Sequence, residues 1–488
     1  MTPATTMLVA MAIPAVGALL IALSRRNPSR RDAITLIAAS AMFLAVASLV
    51  PGVLAGDRPA TGAWSILSGL DIRFALEPLG MMFALIASTL WIANSVYSIG
   101  YMRGNREPRQ TSFYVFFAVA LAATLGIAFA ANLFTLFLFY EILTLSTYPL
   151  VAHRRTDEAI RAGRTYLVLL LGSSIVLFLP AVVWVYLRAG TGEFAPGGIV
   201  ATVMDSGETF WLLALFVFGI GKAAIMPVHR WLPAAMVAPT PVSALLHAVA
   251  VVKAGVFAIV KIVVYVIGVD HLKATGAGDW LVYVAGATVI LASLIALNQD
   301  NLKRRLAYST VSQLSYVVLA AAILTPLSIA GAALHIAAHA FGKITLFFAA
   351  GAIYTAAHKT EVSQLDGIGR RMPWTMGAFA IGALSLIGVP PTAGFVSKWY
   401  MAGAALAAQQ YFVLGVIVLS TLLNAAYFAP IVYAAFFKPE RDPGVGHNHG
   451  EAPWPIVLAL VATAAGTVLL FLLPGLPLAL ARQLAGLS

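Results

Sequence analysis

The chain has 488 residues, of which 61% are hydrophobic and 10% carry a formal charge, with a mean hydropathy of +0.91. A soluble domain needs about 25% charged residues to solvate its surface, so that class is excluded. The absence of cysteine excludes disulfides, thiolate metal sites and cysteine nucleophiles.

Apolar runs of about 18 residues or more, long enough to cross a hydrocarbon core of about 30 Å, recur from end to end. Barrel strands would instead alternate over about ten residues, so helices are expected. The fold class is an all-α polytopic membrane protein. The first run, 7–23, has no basic residue before it and is followed by Arg25, Arg26, Arg30 and Arg31. That order is the reverse of a cleavable signal peptide and predicts a retained span. Runs 33–54, 79–99 and 113–131 come next. The fifth, 133–151, carries Glu141, the one acid deep in a predicted span. After 165–187, the run 210–229 is interrupted at Gly219-Ile220-Gly221-Lys222-Ala223-Ala224-Ile225-Met226-Pro227. Run 241–267 holds His247, Lys253 and Lys261, the last near a helix end where snorkelling to the headgroups is expected. Runs 280–297 and 306–325 lead to 328–357, which carries His335, His339 and Lys343. A second interruption, at Pro390-Pro391, lies in 374–409 ahead of Lys398. Runs 412–437 and 454–474 complete fourteen spans. The polar stretch between them, with His447 and His449, reads as a solvated loop, because two histidines alone make an incomplete metal site.

Placement of the basic residues accounts for the net charge of +11. Of the thirty lysines and arginines, twenty fall in the alternate loops on the side of the first loop and five on the other. The positive-inside rule then puts the Arg-rich side in the cytoplasm and both termini outside. The charge orients the protein, and no nucleic-acid partner is expected. No Walker A sequence occurs, so ATP-driven transport by this chain is not expected.

The ionisable residues inside the spans are the chemical signal. A charge at mid-bilayer costs about 2.5–3.5 kcal/mol on insertion scales, and such residues mark ion and proton paths. Burial and a nearby opposite charge act on proton affinity in opposite senses. A buried lysine can therefore change its protonation as a partner approaches or withdraws. His335, His339 and Lys343 recur every four residues, so they stack along one helix face over about 12 Å. His247 and Lys253 are about 120° apart around their helix and should face different neighbours. A metal site is disfavoured, because the residue beside the histidines is a repelling cation and the one buried acid is Glu141. No nucleophile–base pair can be argued, and no catalytic site or cofactor is expected. Each proline break frees a backbone carbonyl, which in lipid survives only beside protein or a watery cavity. Paired broken helices are a pointer to a transport site in repeat-built transporters.

The stretches Lys222-Ala-Ala-Ile-Met-Pro227-Val-His-Arg-Trp-Leu-Pro233 and Ala238-Pro-Thr-Pro-Val-Ser-Ala-Leu-Leu-His247 closely resemble the antiporter-like subunits of respiratory complex I and of Mrp-type cation/proton antiporters. So do Phe139-Tyr140-Glu141, Asn301 through Thr310, His335-x-x-x-His339-Ala-Phe-Gly-Lys343, and Pro390-Pro391-Thr392-Ala393-Gly394-Phe395 to Lys398. The resemblance covers about residues 110–400 in order. It implies two inverted five-helix repeats, each with a broken helix. The corresponding division is 1–110, a first repeat at 111–267, a second at 268–437, and a final loop and helix at 438–488.

The resemblance also implies roles. Glu141 and Lys222 look like the family's coupling ion pair. Lys253 looks like the central relay lysine, joined through His335, His339 and Lys343 to Lys398, the terminal proton-exchange residue. His247 would help bridge the relay, and Pro227, Pro390 and Pro391 mark the broken helices. The reading favoured is a proton-translocating subunit of a Mrp-type Na⁺/H⁺ antiporter, similar to the D-like members of the Mrp group, in a bacterial inner membrane. Its partners would be other subunits of the complex, protons, the lipid bilayer and, as a candidate, Na⁺. Alternatives are a pumping subunit of complex I or a membrane-bound hydrogenase, the membrane subunit of an inorganic-carbon uptake complex, and a non-conducting scaffold.

Overall fold

The structure, a computed structural model, describes residues 1–67, 70–440 and 450–487. The expectation for His447 and His449 falls outside the described residues.

Among the described residues, eleven helices are long and apolar enough to cross a membrane. They are α1 (Pro3–Leu23), α2 (Pro28–Leu54), α3 (Pro78–Gly104), α4 (Gln110–Ala128), α5 (Leu133–Val151), α6 (Asp157–Ala189), α8 (Thr240–Ile267), α9 (Asp279–Leu297), α11 (Pro326–Ala357), α14 (Tyr411–Phe437) and α15 (Trp454–Leu472). Three further crossings complete the fourteen. One is α10 (Leu302–Ala322), whose serines, threonine and glutamine lower its hydropathy. The other two are interrupted. Helix α7 (Ser206–Gly219) gives way to short turns, and α12 (Pro373–Ile387) is separated from α13 (Ala393–Ala407). A short terminal helix, α16 (Gly475–Leu484), follows. The loop between α2 and α3 adds a small antiparallel ribbon, β1 (Trp64–Leu67) with β2 (Leu70–Ile72), which hydropathy alone gives no reason to expect.

Helix starts follow their capping residues. Asn27, Asn132, Thr156 and Asn301 each accept a backbone N–H of the first turn. Asp205 with Glu208, and Thr325 with Ser328, form reciprocal caps. Prolines sit in the first turns of α1, α2, α3, α11 and α12, where their missing N–H costs no bond.

The two interrupted crossings fall one in each of the two expected inverted repeats, 111–267 and 268–437. One local motif recurs, once in each of these halves. At the start of α5, Asn132 Oδ1 accepts from Thr135 N at 2.8 Å while its Nδ2 donates to Glu193 at 2.9 Å. Flanking backbone bonds run from Leu133 N to Gly192 O and from Phe194 N to Ala131 O. At the start of α10, Asn301 Oδ1 accepts from Arg304 N at 3.1 Å and its Nδ2 donates to Glu361 at 3.0 Å. There the flanking bonds run from Leu302 N to Thr360 O and from Val362 N to Asp300 O. Five crossings separate the two clamps, so they lie on opposite faces. Beside the second, Asp300 accepts from the Ser363 hydroxyl and amide, which holds its carboxyl below the usual range.

The best-buried crossings are α11 and α8, with 94% and 89% of their apolar windows inside the protein. Helix α11 packs against α3, α8, α10, α12, α13 and α15. These two helices carry most of the intramembrane lysines and histidines, so the ionisable residues meet at the centre of the molecule.

Candidate functional site

In the first repeat α7 ends at Gly219, and the chain makes a tight turn over Gly221–Ala223. That turn places Lys222 against α5. Its Nζ donates to Tyr140 O at 2.8 Å and to Thr144 Oγ1 at 2.5 Å, and lies 3.0 Å from the centre of the Tyr140 ring. The Tyr140 hydroxyl in turn accepts from Lys222 N at 3.1 Å. Trp231 Nε1 donates to Gly221 O at 2.9 Å, a carbonyl that also accepts from Ala224 N within the turn. Helix α8 can pass this turn because residue 255 is glycine. A Cβ there would overlap Ala223 N.

Glu141 is the neighbour of Tyr140, yet no ion pair within 4.0 Å joins it to Lys222. Both its carboxylate oxygens are buried and without a hydrogen-bond partner. Leu138, Glu141 and Leu145 share one stripe of α5, and Leu145 is 56% exposed. The unpaired acid thus sits one turn from the outer surface of the chain.

At the centre, Lys253 Nζ lies 2.6 Å from His339 Nδ1. One proton is shared across that contact, on the amine or on the ring nitrogen. One helical turn away the His335 ring lies 6.2 Å from that of His339, nearly parallel to it. His335 Nε2 is 3.0 Å from Gln313 Oε1, and Nδ1 is 2.9 Å from Ser397 Oγ. Donation from Gln313 Nε2 to Leu386 O orients the amide, so His335 Nε2 carries a proton. Ser397 also donates to Gly394 O at 3.0 Å. Its hydroxyl has one proton for two acceptors. It faces a bare Nδ1, and turns to Gly394 O when Nδ1 is protonated. His247, in the π-helical turn 245–249, packs on Phe347 with both ring nitrogens buried and unpartnered. It does not contact Lys253.

In the second repeat the break falls between α12 and α13, at the Pro390–Pro391 bond, as that in the first falls at Met226–Pro227. Lys398 Nζ donates to Leu386 O at 3.1 Å, Ile387 O at 2.8 Å and Thr421 Oγ1 at 3.2 Å. The first two are carbonyls left open where the half-helix stops, which favour a cation. Ser397 makes His335 and Lys398 neighbours along α13. Lys343 does not bond to His339. It turns to α10, donating to Leu306 O at 3.3 Å and Ser309 Oγ at 3.0 Å. From Ser309 a second path runs through the Tyr427 hydroxyl and Asn424 to Leu386 O, beside Lys398.

Lys261 differs from expectation. It is 1% exposed rather than snorkelling, and its Nζ lies 2.7 Å from Glu77, the residue capping the start of α3. The acid lies in a loop segment far away in sequence, so hydropathy around Lys261 gives no sign of it. Thr144, Ser309, Gln313, Ser397, Asn424 and Tyr427 were also not singled out by the sequence. A faint signal existed in α10, where Ser309 and Gln313 stand four residues apart inside a span.

Residues 130–424 match the family described as "NADH:quinone oxidoreductase/Mrp antiporter, TM". The chain belongs to that family. This antiporter-like chain is 35% identical over 392 residues to NADH-quinone oxidoreductase subunit N of Desulforudis audaxviator, covering 79% of this chain and 76% of that one. It is 30% identical to subunit L of Mycobacterium tuberculosis, over 93% of this chain and 73% of that one. To hydrogenase-4 component B of Escherichia coli it is 32% identical, spanning 68% of this chain and half of the relative. Its fold is that of a chain in the Mrp complex from Dietzia sp. DQ12-45-1b, with a TM-score of 0.85 at 23% identity, covering 100% and 97% of the two chains. It is also that of a chain in the membrane-bound sulfane sulfur reductase, an archaeal respiratory membrane complex, with a TM-score of 0.85 at 24% identity, covering 98% and 97%.

Proposed function

We propose that this antiporter-like subunit translocates protons within a multi-subunit Mrp-type Na⁺/H⁺ antiporter. The observation that supports the reading best is the buried succession Lys253–His339, His335–Ser397 and Lys398, which crosses from one repeat to the other without an intervening acid. Glu141 and Lys222 act as the coupling pair at its other end. With Lys222 held by Tyr140 and Thr144, the pair is open. Closing it would draw the ammonium toward Glu141 and lower the repulsion felt by a proton on Lys253. Opening it would push that proton through His339 and His335 toward Lys398. Pro227, Pro390 and Pro391 keep the freed carbonyls beside this line. His247 would bridge Lys253 to the face bearing the Arg-rich loops, which by the positive-inside bias would be the cytoplasmic face of a bacterial inner membrane. Lys343, with its own path to Leu386 O, would serve as a side store of positive charge.

A second reading couples the same proton path to redox work. The relatives named NADH-quinone oxidoreductase subunits and hydrogenase-4 component B favour it. Identification of the chains that copurify separates the two readings. In sealed vesicles carrying the whole complex, Lys222→Ala and Lys253→Ala should each abolish proton translocation. Normal translocation by both variants would leave a scaffold role.

A further inference from the structure

Lys253, Phe257 and Lys261 recur every four residues in the regular helical segment Val251–Lys261. They share a stripe on α8, and the two lysines are about 12 Å apart along the axis. Phe257 between them is fully buried and packs on Phe83, with ring centres 5.1 Å apart. Lys261 Nζ lies 2.7 Å from Glu77 Oε1, donates to Ala130 O at 2.7 Å, and faces the Phe194 ring at 4.4 Å. Tyr265 lies one turn further along α8 than Lys261. Tyr265 and Pro78, which follows Glu77, line a cavity of about 420 Å³. It opens at the end of α8 remote from the Arg-rich loops. Arg58, Asp270 and Lys273 are the charged residues around it. The pair grades from inside to outside, with the Lys261 side chain 1% exposed and that of Glu77 14%.

We propose that Glu77, Lys261 and Tyr265 form a second proton-exchange site, at the floor of this vestibule, with Phe257 as the dry plug separating it from Lys253. The inference rests on the relay reading of Lys253. A buried ion pair is weak evidence of stabilisation, since an apolar pair of like volume is often as stable. This pair can instead neutralise itself. The Lys261 ammonium gives one proton to the Glu77 carboxylate, breaking an N–H bond and forming an O–H bond, and leaves a neutral amine and a neutral acid. Glu77 then releases that proton to water in the vestibule and becomes a carboxylate again. Lys261 regains a proton from Lys253 when Phe257 swings aside and water bridges the stripe. A hydrophobic constriction of this kind gates by excluding water.

This chain has no cysteine, so an introduced one is its single thiol. In sealed vesicles of the assembled complex, Val264→Cys should react with a membrane-impermeant thiol reagent only from the face opposite the Arg-rich loops. Glu77→Gln and Lys261→Met should slow translocation at least about tenfold, the scale of a lost proton-transfer group, and shift its pH profile. Phe257→Ala should add a proton leak. Should the single variants fail to assemble, the swap Glu77→Lys with Lys261→Glu restores the pair. A displaced pH profile in the swap supports exchange, and a normal one shows a static staple. Loss of translocation in Lys253→Ala beside a normal rate and pH profile in Glu77→Gln overturns this site alone. Normal translocation in Lys253→Ala overturns the relay beneath it.

Discussion

Gln313 decides which nitrogen of His335 holds a fixed proton, because its own amide is oriented by Leu386 O. It is a positioning residue, and its removal should act through the histidine. Gln313→Ala frees His335 Nε2 and lets the ring take either tautomer, so Nδ1 no longer faces Ser397 in one defined state. Proton translocation should fall by about tenfold or more, with a change in the pH profile that a mere packing defect would not cause. An unaltered profile in vesicles would remove Gln313 from the path. The histidines and Lys343 were legible in the sequence because four-residue spacing reports a shared helix face. Their hydrogen-bond partners were not, since Ser309, Gln313 and Tyr427 come from other helices and only packing brings them close. For the same reason the file expected from spacing divides in the structure. Lys343 shares the face of His339 but finds better acceptors on α10.

The interrupted crossings depend on glycines whose missing Cβ makes room for lysine-bearing backbone. At Gly255 an added methyl would overlap Lys222 C and Ala223 N. Gly388 has a φ of +88°, and a Cβ there would lie 2.6 Å from Lys398 Cδ. Gly255→Ala and Gly388→Ala should each destabilise by about 1–3 kcal/mol, as overpacking does, and displace the adjacent lysine. At Gly172, in α6, an added methyl would meet nothing within 4 Å. Gly172→Ala should be neutral or slightly stabilising, since alanine is the better helix former. Thermal-shift midpoints of the purified complex check all three, and equal midpoints would contradict the close approach. The breaks themselves were legible from Pro227 and Pro390-Pro391 inside apolar runs. The paired clamps Asn132–Glu193 and Asn301–Glu361 were not, because each joins a helix cap to a loop residue and neither leaves a periodic trace.

At the scale of the whole molecule, most crossings follow from hydropathy, and the two best-buried of them, α11 and α8, are those that carry most of the intramembrane lysines and histidines. Lys261 is the instructive exception. Its place near a helix end suggests escape to the headgroups, whereas Glu77 arrives from another loop and makes burial tolerable. Glu141 poses the reverse problem. Both its oxygens are buried and unpartnered, on a stripe whose neighbour Leu145 is exposed. A carboxylate so near a lipid-facing surface is costly unless protein covers it, and the named relatives are subunits of larger membrane complexes. The stripe Leu138–Glu141–Leu145 should therefore lie against a neighbouring subunit. This chain has no cysteine of its own, and Leu145→Cys in the assembled complex should crosslink to a single partner through a short reagent that is thiol-reactive at one end and photoactivated at the other, so that the partner needs no thiol. It should also be shielded from lipid-soluble maleimides in the complex and reactive in the isolated chain. Equal labelling in both forms would mean that lipid, not protein, faces Glu141, and the proposed coupling pair would then have to work without a partner.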